Sequence, residues 1–296
     1  MFFGLTNSLA TFQNLMNDIL HNLVMAGKVL VYLDDILIFT KTLEEHRQIV
    51  ARVLQVLCQH HLYLKPEKCE FERTEIEYLG LIISEGEACM DPVKVQGVSQ
   101  WPTPTSKREL QSFLGFTSFY RCFIHGFGDI AKPLNALTGN TSWTWADEQQ
   151  RAFDSLKTAV TTAPVLAIPT DSNPYHVEAD SSGHALGAVL SQHQDNIWRP
   201  IAFLSKSLTP TECNYEIYDR ELLAIMTALS EWHHHLMGAP STVEIWTDHQ
   251  NLAYFRKPQK LNCRQARWVS ELSNYDFTLH HQPKNEDVVL LKPEFF

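Results

Sequence analysis

Two short apolar runs near the start of the chain flank a pair of adjacent acids. Residues 29–33 and 36–39 are aliphatic and aromatic, and Asp34 and Asp35 stand between them. Such runs on either side of a polar pair predict a β-hairpin with the acids at its tip. Adjacent carboxylates repel each other, and a divalent cation such as Mg²⁺, which takes hard oxygen ligands, relieves that repulsion. The pattern therefore indicates either a metal-binding hairpin or an ordinary solvated turn, where Asp is also common.

The composition limits the class of protein. The chain has 296 residues, of which 44% are hydrophobic and 20% charged, so we expect about two globular domains and no dominant disorder. Its apolar stretches fall far short of the roughly 18 residues that a membrane span needs, so no membrane partner is expected. The net charge of −10 by itself disfavours a nucleic-acid partner, because phosphates repel an acidic chain.

One local segment has the opposite charge. Five basic residues, which we call the basic stripe, fall within twelve residues that contain no acid. They are candidate contacts to nucleic-acid phosphates, and a solvated surface face is the equally open alternative. The residues of the basic stripe are Arg256, Lys257, Lys260, Arg264 and Arg267.

The cysteines and the first residues indicate the cellular compartment in which the protein is found. None of the six cysteines forms a CxxC pair, which disfavours a zinc ribbon and is typical of free thiols in a reducing compartment. The first residues lack the basic region and cleavage site of a signal peptide. We therefore expect a protein that is not secreted and that is cytoplasmic or nuclear.

The first part of the chain alternates helical and strand-like patterns. Apolar residues recur at helical spacing over 7–24 and 43–61, which predicts two helices. Short apolar runs at 62–64 and 78–83 predict strands. The first unit is expected to end near residue 90.

The middle of the chain is predicted to be helical. Trp101 and the two prolines that follow it predict a rigid connector. Ser106 and Glu109 match the S-x-x-E capping box, which predicts a helix N-terminus. Thr144 is predicted to cap a further helix.

The last part has the pattern of a mixed sheet. Three strand-like runs, one long helical segment and a further strand-like run follow one another, and this β-β-β-α-β order predicts a sheet with a helix packed on it. The predicted strands are 175–179, 185–192, 199–204 and 243–247, and the predicted helix is 215–236.

Three acids are placed to meet at one end of this sheet. Asp180 and Asp248 each follow a predicted strand, and Glu221 lies one turn before Ile225, near the sheet-facing edge of the helix. Three converging carboxylates suit a two-metal nuclease, in which metal-bound water attacks a phosphodiester. Acids are also common at strand ends without any function, and that alternative stays open.

The N-terminal motifs resemble a known polymerase. Phe3-Gly4-Leu5 followed by Tyr32-Leu33-Asp34-Asp35 resembles the palm of reverse transcriptases from Ty3/gypsy-type retrotransposons. Leu79-Gly80 resembles the primer-grip segment of that family, and 119–124 resembles its thumb and connection. The resemblance implies that Asp34 and Asp35 are catalytic metal ligands and that Gly4 contacts nucleic acid.

The C-terminal motifs resemble the ribonuclease H of the same elements. Segments 178–183, 220–225 and 246–252 match its first strand, its catalytic helix and its third acidic motif in order. The resemblance implies that Asp180, Glu221 and Asp248 are catalytic and bind Mg²⁺, with Mn²⁺ as an alternative.

Two elements of the family pattern are missing. The family has a third palm aspartate before the Phe-Gly-Leu segment at which this chain begins, so we expect no polymerase activity from the 296 residues alone. The family also has an Ala-Asp-x-Leu-Ser-Arg segment, which is absent after Pro283. Asp287 is a candidate substitute for its carboxylate, and hydrolysis is left undecided.

The predicted fold class is a multidomain α+β and α/β protein. Its parts are a partial reverse-transcriptase palm (1–90), a helical thumb or connection (91–164), an RNase H-like mixed sheet with flanking helices (165–285) and a tail (286–296).

The predicted function is that of a fragment of a retrotransposon reverse transcriptase and ribonuclease H. The alternative is a non-catalytic remnant that only binds nucleic acid or a partner. Expected partners are an RNA–DNA hybrid and a primer-template, with integrase, protease or a second copy of the chain as further candidates, and retrotransposon particles as a candidate location.

Overall fold

A computed structural model describes residues 7–247 and 263–281. By its internal contacts the chain divides into two compact units, 1–85 and 86–296. The predicted segments 91–164 and 165–285 fall together in the second unit.

In its described residues, 7–85, the first unit combines three α-helices and a short 3-10 helix (Pro66–Lys68) with two hairpins. Met16, Leu20, Val29, Val53 and Leu57 form the centre of its core. Its elements are α1 (Ser8–Ile19), α2 (His21–Met25), β1 (Val29–Tyr32), β2 (Asp35–Ile38), α3 (Leu43–Gln59), β3 (Ile76–Tyr78) and β4 (Leu81–Ser84).

The predicted hairpin around the two acids is confirmed. Strands β1 and β2 pair antiparallel, with Tyr32 opposite Asp35. Asp34 lies in the turn, and Asp35 is the first residue of β2.

Three other predictions for this unit need correction. The helix predicted over 7–24 is interrupted at Leu20, which ends α1 and precedes α2. Residues 62–64 are not a strand, because no neighbouring strand pairs with them in the described residues. The strand predicted over 78–83 is a hairpin, since Leu79 and Gly80 both have positive φ and reverse the chain between β3 and β4.

The second unit is built on a five-stranded mixed sheet. The strand order is β11-β10-β7-β8-β9, in which β7, β8 and β9 pair antiparallel and β10 lies parallel to both β7 and β11. Strands β5 and β6 lie outside this five-stranded sheet. The strands described in the second unit are β5 (Glu87–Met90), β6 (Leu166–Ala167), β7 (Tyr175–Ser181), β8 (Ala185–Gln194), β9 (Ile197–Ser207), β10 (Val243–Thr247) and β11 (Phe277–His281).

Helices precede and flank this sheet. Its core is formed where one face of β7, β8 and β10 packs on α9, with Val177, Leu190, Ile225, Leu229 and Ile245 fully buried. The helices of the unit are α4 (Pro92–Ser99), α5 (Lys107–Phe119), α6 (Phe127–Thr138), α7 (Asp147–Thr161), α8 (Pro210–Cys213), α9 (Ile217–Glu231), α10 (His233–Leu236) and α11 (Cys263–Leu272).

The capping predictions have mixed outcomes. Ser106 caps α5 as predicted, accepting a hydrogen bond from the Glu109 N–H. Thr144 does not cap α7, which begins at Asp147 after Ala146, and the Gln149 side chain accepts the Ala146 N–H. The predicted helix 215–236 is also shorter: α9 begins at Ile217 and ends at Glu231, before the separate α10. Strand β11 had no counterpart in the prediction.

Candidate functional site

The hairpin of the first unit presents both of its acids to solvent. Asp34 and Asp35 are exposed, while Val29 and Leu37 on the same hairpin are buried. Leu33, which precedes the acids, has φ of 54°. Side chains other than glycine adopt this left-handed conformation rarely, so the turn needs support from elsewhere in the fold.

Gln13 supplies that support from α1. The Leu33 N–H donates to Gln13 Oε1 (2.7 Å), and Gln13 Nε2 donates to the Val31 carbonyl (3.1 Å). One amide side chain thus bonds the backbone on both sides of Tyr32. This pairing orders the turn that carries Asp34.

A tyrosine from the neighbouring hairpin lies near the acids. Burial raises the pKa of the Tyr78 phenol above its usual value, and the negative charge of Asp35 raises it further. Tyr78 directly precedes Leu79-Gly80, the segment that resembles a primer grip.

In the second unit, Ser181 links the first two predicted metal ligands. Its N–H donates to Asp180 Oδ1 (2.8 Å), and its Oγ donates to Glu221 Oε1 (2.7 Å). Asp180 is exposed at the end of β7, whereas Glu221 is 3% exposed in the first turns of α9. The structure thus brings two of the three predicted carboxylates within reach of one serine.

The loop that follows Asp180 is held from two helices. Ser182 Oγ lies 3.1 Å from Asp129 Oδ1 of α6, and an Arg220 nitrogen of α9 lies 3.4 Å from the Ser182 carbonyl oxygen. The α6 backbone is anchored nearby, because the Gly128 N–H donates to Ser205 Oγ of β9 (2.7 Å).

Helix α11 is attached to the start of α9 by a buried acid. Asp219, only 4% exposed, forms an ion pair with Arg264 and accepts a hydrogen bond from Gln265 Nε2 (2.9 Å). The Arg264 guanidinium also lies over the Tyr215 ring, 3.7 Å from its centroid. Arg267 of the same helix is exposed.

The remaining predicted residues lie outside the described part of the chain. They are Gly4, Asp248, Arg256, Lys257, Lys260 and Asp287. Asp248 directly follows Thr247, which ends β10 beside β7.

The donor chemistry suits a hard divalent cation but is incomplete in the described residues. Asp180 and Glu221 offer carboxylate oxygens, the ligands that Mg²⁺ prefers. Within residues 7–247 and 263–281, no group of three or more His, Cys, Asp or Glu side chains could hold a metal ion. A complete site would need a further ligand, for which Asp248 is the candidate.

The face of the sheet that points away from α9 carries an aromatic cluster around His176. The His176 ring contacts Trp198 and Trp246, with centroids 5.0 Å and 5.7 Å apart. Burial lowers the pKa of His176 from 6.5 to about 4, with His280 also lowering it and Glu244 opposing the shift. Burial raises the pKa of Glu178, whose carboxylate lies 3.6 Å from His176 Nε2.

Sequence reasoning missed the residues that hold the site together. Gln13, Ser181 and Asp219 act through partners that lie 20, 40 and 45 residues away. No local spacing rule connects such pairs. The sequence carried no signal for Asp219, because an acid on another face of the helix needs a partner only if it is buried.

Two family models match separate parts of the chain. Residues 1–83 match the reverse transcriptase (RNA-dependent DNA polymerase) family, and residues 145–243 match the RNase H-like domain found in reverse transcriptase. Members of these two families generally use divalent metal ions.

Curated relatives match nearly all of the chain. A retrovirus-related Pol polyprotein from transposon opus of Drosophila melanogaster is 36% identical over 97% of the chain, and the transposon Tf2-3 polyprotein of Schizosaccharomyces pombe is 33% identical over 95%. The chain spans only 30% and 21% of the length of these two relatives.

Solved structures share the fold. A foamy viral protease-reverse transcriptase in complex with double-stranded DNA has a TM-score of 0.79 at 24% identity, covering 96% of this chain and 50% of that one. The same protein in complex with an RNA/DNA hybrid has a TM-score of 0.78, covering 100% and 42%. Among the described helices, none combines the length and the apolar character that crossing a bilayer requires.

Proposed function

Because this chain belongs to the Pol polyproteins of Ty3/gypsy-type retrotransposons, with a reverse-transcriptase segment followed by an RNase H-like segment, we propose that its second unit is a ribonuclease H. Its substrate is the RNA strand of an RNA–DNA hybrid. The observation that carries the proposal is the pair of carboxylates, Asp180 and Glu221, that Ser181 joins at the end of β7.

Asp180, Glu221 and Asp248 would hold the divalent ion, for which we propose Mg²⁺, with Mn²⁺ as a substitute. Such an ion, when bound, supplies activation of water and stabilisation of negative charge on the phosphodiester. Ser181 keeps the Glu221 carboxylate in one orientation by donating to Oε1. The Ser181 N–H holds Asp180 in the same way.

The chain also carries candidate substrate contacts. Exposed Arg267 can approach a phosphate without losing a buried partner, and Arg256, Lys257 and Lys260 complete the basic stripe in sequence. Phosphate contacts by Lys and Arg supply most of the sequence-independent affinity for nucleic acid. We therefore expect binding of the hybrid to weaken steeply with salt.

The test is Mg²⁺-dependent cleavage of a labelled RNA–DNA hybrid. We expect Asp180→Asn and Glu221→Gln each to lower the rate by about 100-fold or more, since losing residues that merely orient metal ligands already costs about 10–100-fold. Asp171→Asn, an exposed acid of the same unit, is the matched control and retains the wild-type rate.

Three outcomes would overturn the proposal. They are no cleavage by the wild-type chain, cleavage without a divalent ion, or full activity of Asp180→Asn. Hybrid binding without cleavage would instead support the alternative of a non-catalytic remnant.

For the first unit, we propose that Asp34 and Asp35 are catalytic carboxylates of the RNA-directed DNA polymerase in the whole Pol protein. The Gln13 bonds to the hairpin backbone and the exposure of both acids support this. Asp34→Asn in the full-length protein should abolish primer extension on an RNA template, and unchanged extension would contradict the assignment. The same assay tests the expectation that the 296-residue chain extends no primer.

A further inference from the structure

The first turn of α9 contains a buried ion pair that the proposed chemistry does not use. Asp219 lies two residues before Glu221, and both are among the most buried charged residues of the chain, at 4% and 3% exposure. Its partners, Arg264 and Gln265, come from the first turn of α11. These three residues, Asp219, Arg264 and Gln265, are called the α9–α11 lock below.

Two kinds of contact hold Arg264 in this lock. Its guanidinium pairs with the Asp219 carboxylate and stacks on the Tyr215 ring, and it also lies 5.3 Å from the centroid of the Trp268 ring. The Arg264 side chain is 32% exposed, but a guanidinium that pairs with an acid and lies over a ring has fewer free donors and less freedom to turn toward a phosphate. Arg267, three residues on, is exposed and donates from Nε to the Cys263 carbonyl of its own helix.

The far end of α11 is anchored independently. Trp268 and Leu272 pack against the core of the sheet, and the Tyr275 hydroxyl donates to the Leu229 carbonyl of α9 (3.1 Å). Loss of the lock therefore leaves α11 attached at its C-terminal end and frees the end that pairs with Asp219. Since an unpartnered buried carboxylate is costly, Asp219 would then move toward water and take its helical turn with it.

We propose that the α9–α11 lock positions the turn of α9 that carries Glu221, so that Arg264 is a positioning residue and not a phosphate contact. The inference rests on the proposed ribonuclease function. The two described members of the basic stripe then have different roles. Arg264 orients a catalytic carboxylate, and Arg267 binds the hybrid.

The experiment compares Arg264→Gln with Arg267→Gln in the full 296-residue chain. For Arg264→Gln we expect kcat of hybrid cleavage to fall about tenfold, while KM stays within about twofold and the salt dependence of binding is unchanged. For Arg267→Gln we expect the reverse: kcat is retained, KM rises, and the slope of log K against log salt decreases by about 0.9. Arg151→Gln, an exposed arginine of α7, is the matched control.

Two milder variants distinguish a loss of positioning from unfolding of the protein. Arg264→Lys keeps the charge, and Gln265→Ala removes a hydrogen bond to Asp219 but leaves the ion pair, so both should fold and lower kcat by less than Arg264→Gln does. The proposal is overturned if Arg264→Gln raises KM and lowers the salt slope as Arg267→Gln does. It is also overturned if all three lock variants keep the wild-type kcat.

Failure of the ribonuclease proposal can be told apart from failure of the lock. If the wild-type chain does not cleave the hybrid, amide hydrogen exchange over residues 217–223 decides the lock alone. Faster exchange there in Arg264→Gln than in Arg151→Gln supports the positioning of the α9 turn. Equal exchange in the two variants overturns it.

Discussion

Ser181 makes hydrogen bonds to two of the proposed metal ligands. Its backbone N–H bonds Asp180, and its hydroxyl bonds Glu221 of a helix 40 residues later. A side chain without a hydroxyl would keep the backbone bond to Asp180 and lose the bond to Glu221. The alternation of β7 makes both bonds possible, since successive side chains point to opposite faces of the sheet.

His176, on the other face of β7 from Ser181, makes the stability of the folded protein depend on pH. His176 is neutral in the folded protein down to its pKa of about 4, whereas in the unfolded chain it titrates near 6.5. As the pH falls below 6.5 the unfolded state takes up the proton first, so stability is lost between pH 6.5 and 4, by about 3 kcal/mol in total.

Replacing His176 by Phe should remove this part of the pH dependence. The free energy of unfolding in urea, measured at pH 7, 5.5 and 4, should fall less steeply in His176→Phe than in the wild-type chain. Glu178, Glu244 and His280, the titratable groups that act on this position, are present in both proteins. Parallel curves for the two proteins would show that His176 is not held neutral.

At the scale of elements, the docking of α6 on the sheet depends on a glycine. A Cβ at Gly128 would lie 2.8 Å from Ser205 Oγ, the atom that accepts the Gly128 N–H. The same end of α6 carries Asp129, which meets Ser182 beside Asp180. Close approach at Gly128 is therefore one of the contacts that hold the loop next to the site.

Gly128→Ala should destabilise the second unit by about 1–2 kcal/mol, because it crowds Ser205 and disturbs a hydrogen bond. Gly115→Ala in α5 is the matched control, since a Cβ there meets no atom within 4 Å. In an open helix position, Gly→Ala stabilises by up to about 1 kcal/mol. Urea unfolding should thus give shifts of opposite sign, and shifts of the same sign would contradict the packing described for α6.

At the scale of the whole molecule, each compact unit has a hydrophobic core of its own. One core contains Leu20 and Val53, and the other contains Leu229 and Ile245. The tryptophans report on one unit only, because all of them belong to the second. They are Trp101, Trp143, Trp145, Trp198, Trp232, Trp246 and Trp268.

Core substitutions should act on the two units separately. Leu229→Ala, at a fully buried position, should lower the stability seen by tryptophan fluorescence by about 2–5 kcal/mol. Leu20→Ala should shift part of the unfolding seen by far-ultraviolet circular dichroism and leave the fluorescence transition in place. A fluorescence shift of equal size in both variants would mean that the two cores unfold as one.

Short-range patterns in the amino-acid sequence were enough to predict several local elements and the acids that they carry. Apolar runs around Asp34 and Asp35 were sufficient to predict the β1–β2 hairpin, because its pairing joins neighbouring residues. The strand pattern likewise located β7, β8 and β9, and the motif order indicated the reverse-transcriptase and RNase H-like segments. These features depend on short-range periodicity, which can be read along the chain.

The residues that support those acids could be identified only from the folded chain. The Gln13 bonds to the hairpin, the Ser181 link between Asp180 and Glu221, and the commitment of Arg264 to Asp219 all join residues far apart in sequence. The chain pattern marked Arg264 as one more member of a basic stripe, since charge alone cannot distinguish a solvated arginine from a paired one. The distinction arises from burial: Asp219 lies in the low-dielectric interior, where an acid is stable only beside a partner, and the fold brings that partner from α11.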